Sequence, residues 1–380
     1  MQYRKLGKDG SEVSVLGFGC MRLPTIEKGG AIKRDEAIKL IRKGIDNGIN
    51  YVDTAWTYHR GESEVVLGLA LKDGYREKVT LVTKIPIGHK DFTEGDSFYK
   101  FLDEELERLD VDYIDYYLLH ALNKKSFDEK VVGLNVIERA MKAKEEGKIK
   151  HLGFSFHDKP EVLKEIIDTG WFDLVLVQYN ILDQVNCEMM NYARSKGMGV
   201  AVMGPVGGGR LAGEDLHEDM KEWLTSGRKN YVDLAFKFVY NNPDVCVALS
   251  GMGSDEMLDD NLALASLDDY DKLSAKETES IDSIATRFKE LCDNLCTQCK
   301  YCEPCPNEVN ISFIFSALQR YQIYGQHEMA KYYYDIIGKM PWAKGANAEA
   351  CVECGECLEK CPQKIEIIEQ LKKAHEILAD

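Results

Sequence analysis

The chain lacks what a membrane span, an exported protein or a nucleic-acid binder would need. Nowhere in its 380 residues do about 18 apolar residues run together, so no helix is expected to cross a bilayer. Basic residues are too few to meet a phosphate backbone. The 48 Lys and Arg stand against 64 Asp and Glu, a formal charge of −16, whereas nucleic acid needs a basic footprint. The opening "MQYRKLGKDG" has no apolar stretch behind its basic residues, so no export signal is expected and the reading is a cytoplasmic protein. Cysteine is scarce before residue 290, with only Cys20, Cys187 and Cys246, and the remaining nine of twelve lie in the last 89 positions. That imbalance predicts two regions, 1–290 and 291–380, with metal binding or redox chemistry favoured over a disulfide scaffold in the second.

What is present in the first region is repetition. Eight short apolar runs recur: "SVLGFG" (14–19), "NYVDT" (50–54), "VTLVTK" (79–84), "YIDYYLLH" (113–120), "IKHLGFS" (149–155), "LVLVQYN" (174–180), "GVAVMG" (199–204) and "VCVALSG" (245–251). Between them lie helical patterns such as "DEAIKLIRKGIDNG", "SFYKFLDEELERLD" and "PEVLKEIIDTG". Strand and helix in alternation imply parallel strands joined by crossovers, and eight such units predict an α/β fold of the TIM (β/α)8 barrel type. An open doubly wound sheet is the alternative. It would usually carry G-x-G-x-x-G after its first strand, and "GFGCMR" does not supply that.

Polar residues fall at the C-terminal ends of these strands, where barrel active sites lie. They are Asp53, Lys84, His120, Ser155 and Gln178. Each alone has a plain structural reading, Lys84 as a solvated strand end and His120 as a hydrogen-bonded histidine; together they point to a site. Reducing a carbonyl by hydride needs a proton at the oxygen, and a tyrosine beside a cation can give one. Tyr58 follows Asp53 by five residues, Lys84 supplies a cation, Asp53 can hold it, and His120 can orient the carbonyl.

The segments "YVDTAWTYHRGESEVVLG" (51–68), "VTLVTKIP" (79–86), "YYLLHAL" (116–122), "GFSFHD" (153–158) and "VQYNILD" (177–183) resemble those of the aldo-keto reductase family, in order, over roughly 1–270. The resemblance implies a catalytic tetrad of Asp53, Tyr58, Lys84 and His120, and a small-molecule carbonyl or alcohol as substrate. It also implies a nicotinamide cofactor. Ser155 and Gln178 match the pair that holds the carboxamide, although Phe156 stands where an asparagine is usual. Met203 takes the place of the aromatic that stacks on the nicotinamide ring, and a thioether can pack on a ring too. In "GPVGGGR" (204–210), Gly204, Gly207 and Arg210 offer backbone N–H groups and a cation to a pyrophosphate; a flexible turn would explain the glycines as well. Ser254, Asp260 and Asn261 belong to "SGMGSDEMLDDN" (250–261), the segment for the adenosine end. Gly251 and Met257 stand there in place of the two cations that favour NADP, so the expected cofactor is NAD(H) or NADP(H), with NAD(H) slightly favoured.

The last region holds "CTQCKYCEPCP" (296–306) and "CVECGECLEKCP" (351–362). C-x2-C-x2-C with a fourth cysteine before proline is the ligand run of bacterial ferredoxin clusters, and the first run is one residue short before its last cysteine. Zinc is the alternative, but it does not require three cysteines so closely spaced. "NISFIFSALQRYQIYG" and "EMAKYYYDIIGKM" between the runs read as helices. The tail resembles an α-helical ferredoxin-like domain with two 4Fe-4S clusters, as in the ferredoxin-fused branch of the same family. By that resemblance Cys296, Cys299, Cys302 and Cys361 hold one cluster, and Cys351, Cys354, Cys357 and Cys305 the other. Cys292 is left as a spare thiol. The leading expectation is a nicotinamide-dependent carbonyl reductase with two clusters. Its rivals are an electron-transfer protein served by a ferredoxin-like partner, and a redox-responsive binding module; the intact tetrad speaks against the last.

Overall fold

The computed structural model describes residues 1–380 except 9, 27–29, 214–217, 226–229, 293, 295, 341 and 380. Its contacts divide the chain into two compact units. The first comprises Met1–Tyr179, Gln184–Pro205 and Val239–Lys272, and the second Asn180–Asp183, Val206–Phe238 and Leu273–Asp380.

In the first unit an antiparallel hairpin, β1 (Tyr3–Leu6) and β2 (Ser11–Ser14), precedes a closed eight-stranded barrel. Its strands are β3 (Leu16–Gly19), β4 (Tyr51–Asp53), β5 (Thr80–Ile85), β6 (Ile114–Leu122), β7 (Ile149–Phe156), β8 (Leu174–Gln178), β9 (Gly199–Met203) and β10 (Val247–Ser250). All pairings in the barrel are parallel, and β10 closes it by pairing with both β9 and β3. The eight runs expected from the sequence are these eight strands. Each strand has helices on one side and barrel interior on the other, so β8, "LVLVQ", is buried at all five positions and reads as a continuous run. The helices instead show one apolar stripe: Ser97–Leu109 buries Phe98, Phe101, Leu102, Glu105 and Leu109. The hairpin was not foreseen. Leu6 and Val13 from it enter the barrel core with Val82, Leu118, Leu174 and Val247.

The second unit does not begin at 290, where the cysteine count alone puts a boundary. Helix Ala275–Leu291 buries Ile281, Ile284 and Phe288 in a cluster with Leu211, Met220, Tyr231, Leu234 and Ile323. Apolar contact thus draws residues 206–238 into this unit. A second cluster gathers Ile311, Ile314, Phe315 and Leu318 of helix Ile311–Tyr324 with Ile367, Leu371 and Leu378 of helix Ile367–Leu378, and five cysteines pack against it. Among the described residues no helix is long and apolar enough to cross a membrane.

Behind β5 two carboxyls are buried together. Glu64 and Glu105 are both fully buried; Thr83 donates to Glu64 at 2.6 Å, Tyr117 donates to Glu105, and Arg108 donates to Glu64 at 3.3 Å. Burial is the main cause that pushes Glu64 up to about 7, against Thr83 and Arg108, which lower it. Burial and the charge of Glu64 hold Glu105 well above the carboxylate range. A carboxyl whose affinity for protons rises on folding stabilises the fold at low pH and loses that contribution as pH climbs through its folded pKa. The window for Glu64 therefore runs from about 4.5 to about 7. Buried neutral histidines such as His120 act with the opposite sign in an overlapping range, so the difference between variant and parent isolates the effect. The stability of Glu64→Gln relative to the parent should rise as pH is raised across that window, measured by urea unfolding midpoints.

Candidate active site and thiol groups

Three strand ends and one loop bring the tetrad together. Asp53 is the last residue of β4, Lys84 lies one residue from the end of β5, and His120 sits near the end of β6. Lys84 is 1% exposed. Its Nζ donates to Asp53 Oδ1 at 2.5 Å, to the Thr54 carbonyl at 2.6 Å and to the Tyr58 hydroxyl at 3.2 Å. All three ammonium protons are thus used, as a buried cation requires. Burial raises Asp53 from its ordinary value while the Lys84 charge opposes it. Its second oxygen, Oδ2, is buried without a partner among the described residues. Cys20, fully buried near this pair, is held as a neutral thiol by burial and by the Asp53 charge.

Tyr58 owes its position to an unusual turn. The next three residues, His59, Arg60 and Gly61, have φ of 49, 61 and 91°, and two of them are not glycine. Such left-handed runs cost free energy and persist only where the surroundings fix them. Here a Cβ on Gly61 would stand 2.8 Å from the Arg108 guanidinium, so the close approach of that side chain needs glycine. The His120 ring lies 5.9 Å from the Tyr58 ring, edge on. Burial first, and the Lys84 charge second, hold His120 well below its ordinary value, so it is neutral near pH 7. A neutral imidazole can give one hydrogen bond but has no extra proton to lose.

His120 is followed by Ala121 at φ 56°, where the register of β6 on β7 shifts between Leu119 and Leu122. The N–H freed by this bulge donates to Ser155 Oγ at 2.8 Å. Ser155 thereby steadies the segment that carries His120 and keeps its own hydroxyl proton for another acceptor. Gln178 is buried at the end of β8, and Met203, at the end of β9, packs against the barrel core. Ser254 caps helix Asp255–Leu264, accepting from the Met257 N–H at 3.3 Å; Asn261 is buried and donates to Ser250, while Asp260 is exposed. Gly204 has φ 66°. Sequence reasoning missed Arg22, whose side chain packs within about 3 Å of where a Cβ on Gly251 would stand. Its only signal was a cation just past the first strand.

Gly207 and Arg210 belong to the second unit. Gly207, Gly208 and Gly209 are left-handed at φ 61, 70 and 98°, and Arg210 is buried.

The thiols of the second unit gather in two groups. Burial first raises Cys302 and Cys357; beyond it, Cys302 feels the charges of Glu303, Cys296, Cys299 and Cys361, and Cys357 those of Cys351, Cys305 and Cys354. Each group joins three cysteines of one run to the last of the other. Gln298 and Lys300, at φ 55 and 65°, turn the first run inward, and the Gln298 N–H points at Cys296 Sγ, 3.3 Å away. Cys302, Cys305, Cys351, Cys354 and Cys357 line one cavity. Among the described residues no three such side chains converge tightly enough to chelate a single ion.

Comparison with known proteins divides the sequence between residues 286 and 295, whereas the contacts place Val206–Phe238 and Leu273 onward in the second unit. The aldo/keto reductase family model matches residues 15–286, and a 4Fe-4S dicluster domain matches residues 295–366. The chain is 28% identical over 312 residues to the uncharacterised oxidoreductase YqkF of Bacillus subtilis, covering 74% of this chain and 96% of that one. It is 28% identical over 286 residues to the L-galactose dehydrogenase of Arabidopsis thaliana, covering 69% and 88%. Among solved structures, the holo form of aldo-keto reductase AKR11C1 from Bacillus halodurans superposes with a TM-score of 0.64 at 28% identity, over 75% of this chain and 96% of that one.

Removing one partner of a buried ion pair strands the other and costs about 3–5 kcal/mol, whereas replacing both can be nearly neutral. Lys84→Met should lower the denaturant midpoint markedly, and adding Asp53→Asn to it should recover stability. A double-mutant cycle by urea unfolding checks the coupling.

Proposed function

Because the chain belongs to the aldo/keto reductase family, we propose that its barrel interconverts a small-molecule carbonyl and its alcohol with a nicotinamide dinucleotide. The chain also carries a 4Fe-4S dicluster domain, and we propose that its eight clustered thiols hold two four-iron four-sulfur clusters. The observation that carries the first reading is the position of Lys84, which contacts both Asp53 and the Tyr58 hydroxyl.

A reduced nicotinamide supplies hydride to the carbonyl carbon. The protein supplies the proton. Tyr58 gives it from its hydroxyl to the carbonyl oxygen, and Lys84, donating to the phenolic oxygen, stabilises the charge left behind. Asp53 holds the ammonium in place. His120, neutral by burial and by the Lys84 charge, orients the carbonyl by a hydrogen bond and does not compete as the acid. Ser155 and Gln178 hold the carboxamide, Met203 packs on the ring, and Gly204, Ser254, Asp260 and Asn261 serve the rest of the cofactor. With Gly251 and Met257 in place of two cations, NAD(H) serves at least as well as NADP(H). Arg22, close to Gly251, limits that preference.

Cys296, Cys299, Cys302 and Cys361 hold one cluster, and Cys351, Cys354, Cys357 and Cys305 the other. Such clusters take up and release one electron at a time. The exposure of Cys354 favours exchange with a ferredoxin-like partner at that group.

Tyr58→Phe should bind nicotinamide nearly as the parent does, by fluorescence titration, while kcat falls about 10²–10⁴-fold for a lost general acid. Carbonyl reduction at the parental rate would contradict the assignment. Anaerobic analysis of the purified protein should give about eight irons and eight sulfides per chain; zinc without sulfide would overturn the cluster reading.

A further inference from the structure

Arg210 is a buried cation with thiols among its charged neighbours. It is 5% exposed, and its Nε donates to the Gly207 carbonyl at 2.8 Å. No carboxylate forms an ion pair with it among the described residues. Its charge instead interacts first with Cys292 and Cys296, then with Tyr324 and Asp183.

The loop bearing Arg210 is fixed to the first cysteine run. The Tyr324 hydroxyl donates to the Arg210 carbonyl at 2.8 Å. A Cβ on Gly208 would stand 2.9 Å from Thr297 Cα, and one on Gly213 would stand 2.5 Å from the Tyr324 ring. Gln319 adds a clamp from helix Ile311–Tyr324, donating to the carbonyls of Asn294 and Cys296 at 3.0 and 2.9 Å. The loop that carries Arg210 is therefore fixed against the first cysteine run, and the side chain itself is tied to the Gly207 carbonyl and buried. Burying such a charge is costly unless an anion balances it, and Cys296 with what it binds is the anion at hand.

We propose that Arg210 is the electrostatic partner of the cluster held by Cys296, Cys299, Cys302 and Cys361, and that it makes this cluster easier to reduce. The assignment rests on the cluster reading given above. Reduction adds one electron, here from dithionite, and breaks no bond. The added negative charge is favoured beside a fixed cation in a low-dielectric site, and net charge nearby is one of the determinants of cluster potentials. Arg210 is a positioning and tuning residue, since its own N–H groups are not required to touch substrate.

The test is a redox titration of the full-length, cluster-loaded protein with dithionite, followed by electron paramagnetic resonance, on the parent, Arg210→Gln and Arg210→Lys. Iron and sulfide are counted in each sample. In Arg210→Gln one cluster should become at least tenfold harder to reduce, a fall of ~59 mV for one electron, while the other keeps its midpoint. Arg210→Lys, which keeps the charge, should titrate like the parent. Parental midpoints in a fully loaded Arg210→Gln, or equal shifts of both clusters, would overturn the proposal. So would loss of iron and sulfide from both variants, which would mark the side chain as a folding element. A parent free of iron and sulfide would fail the cluster reading itself, before any variant is made.

Discussion

A buried ammonium dictates much of the barrel's upper end. At 1% exposure Lys84 cannot lean on water, so each of its protons must find an acceptor inside the protein. Asp53, the Thr54 carbonyl and the Tyr58 hydroxyl are those acceptors, and two of the three come from one strand end. The Tyr58 turn must then bend sharply enough to bring its hydroxyl in, at the expense of the left-handed residues that follow. Burial, seconded by the same charge, keeps His120 neutral. Position, protonation state and loop geometry thus descend from one lysine placed where the hydrophobic pattern of β5 ends.

Much of this was legible in the sequence. Parallel strands covered on both sides are short apolar runs, so all eight barrel strands could be read directly, and the tetrad fell in phase with their ends. The β1–β2 hairpin escaped because its residues, "YRKL" and "SEVS", are half exposed and carry little apolar signal. The Ala121 bulge and the Ser155 bond to it were also unreadable. Alanine has no preference for φ 56°, and a single freed N–H leaves no trace in composition.

The cysteine runs announced themselves as ligand runs through their spacing, and the resemblance to two-cluster ferredoxins implied how their thiols are shared. What spacing could not show is how far the second unit extends. Residues 206–238 sit, in sequence, amid barrel elements, and the amphipathic pattern of a helix does not say which neighbour its apolar stripe will meet. Leu211, Tyr231 and Leu234 meet Ile281, Ile284 and Phe288, and Arg210 goes with them. A residue that reads as a phosphate contact by its place after a glycine run thus belongs to the same unit as the cysteine runs.

That interleaving has a consequence for biosynthesis. Chains emerge from their N-terminus at about 5–20 residues per second and generally fold domain by domain. Here Leu211, Met220, Tyr231 and Leu234 leave the ribosome well before Ile281, Ile284, Phe288 and Ile323, the residues that cover them. For several seconds an apolar surface in the middle of the nascent chain waits for its other half. During that interval it is open to chaperones or to mispairing, and a chain ended after Lys272 would carry it permanently uncovered.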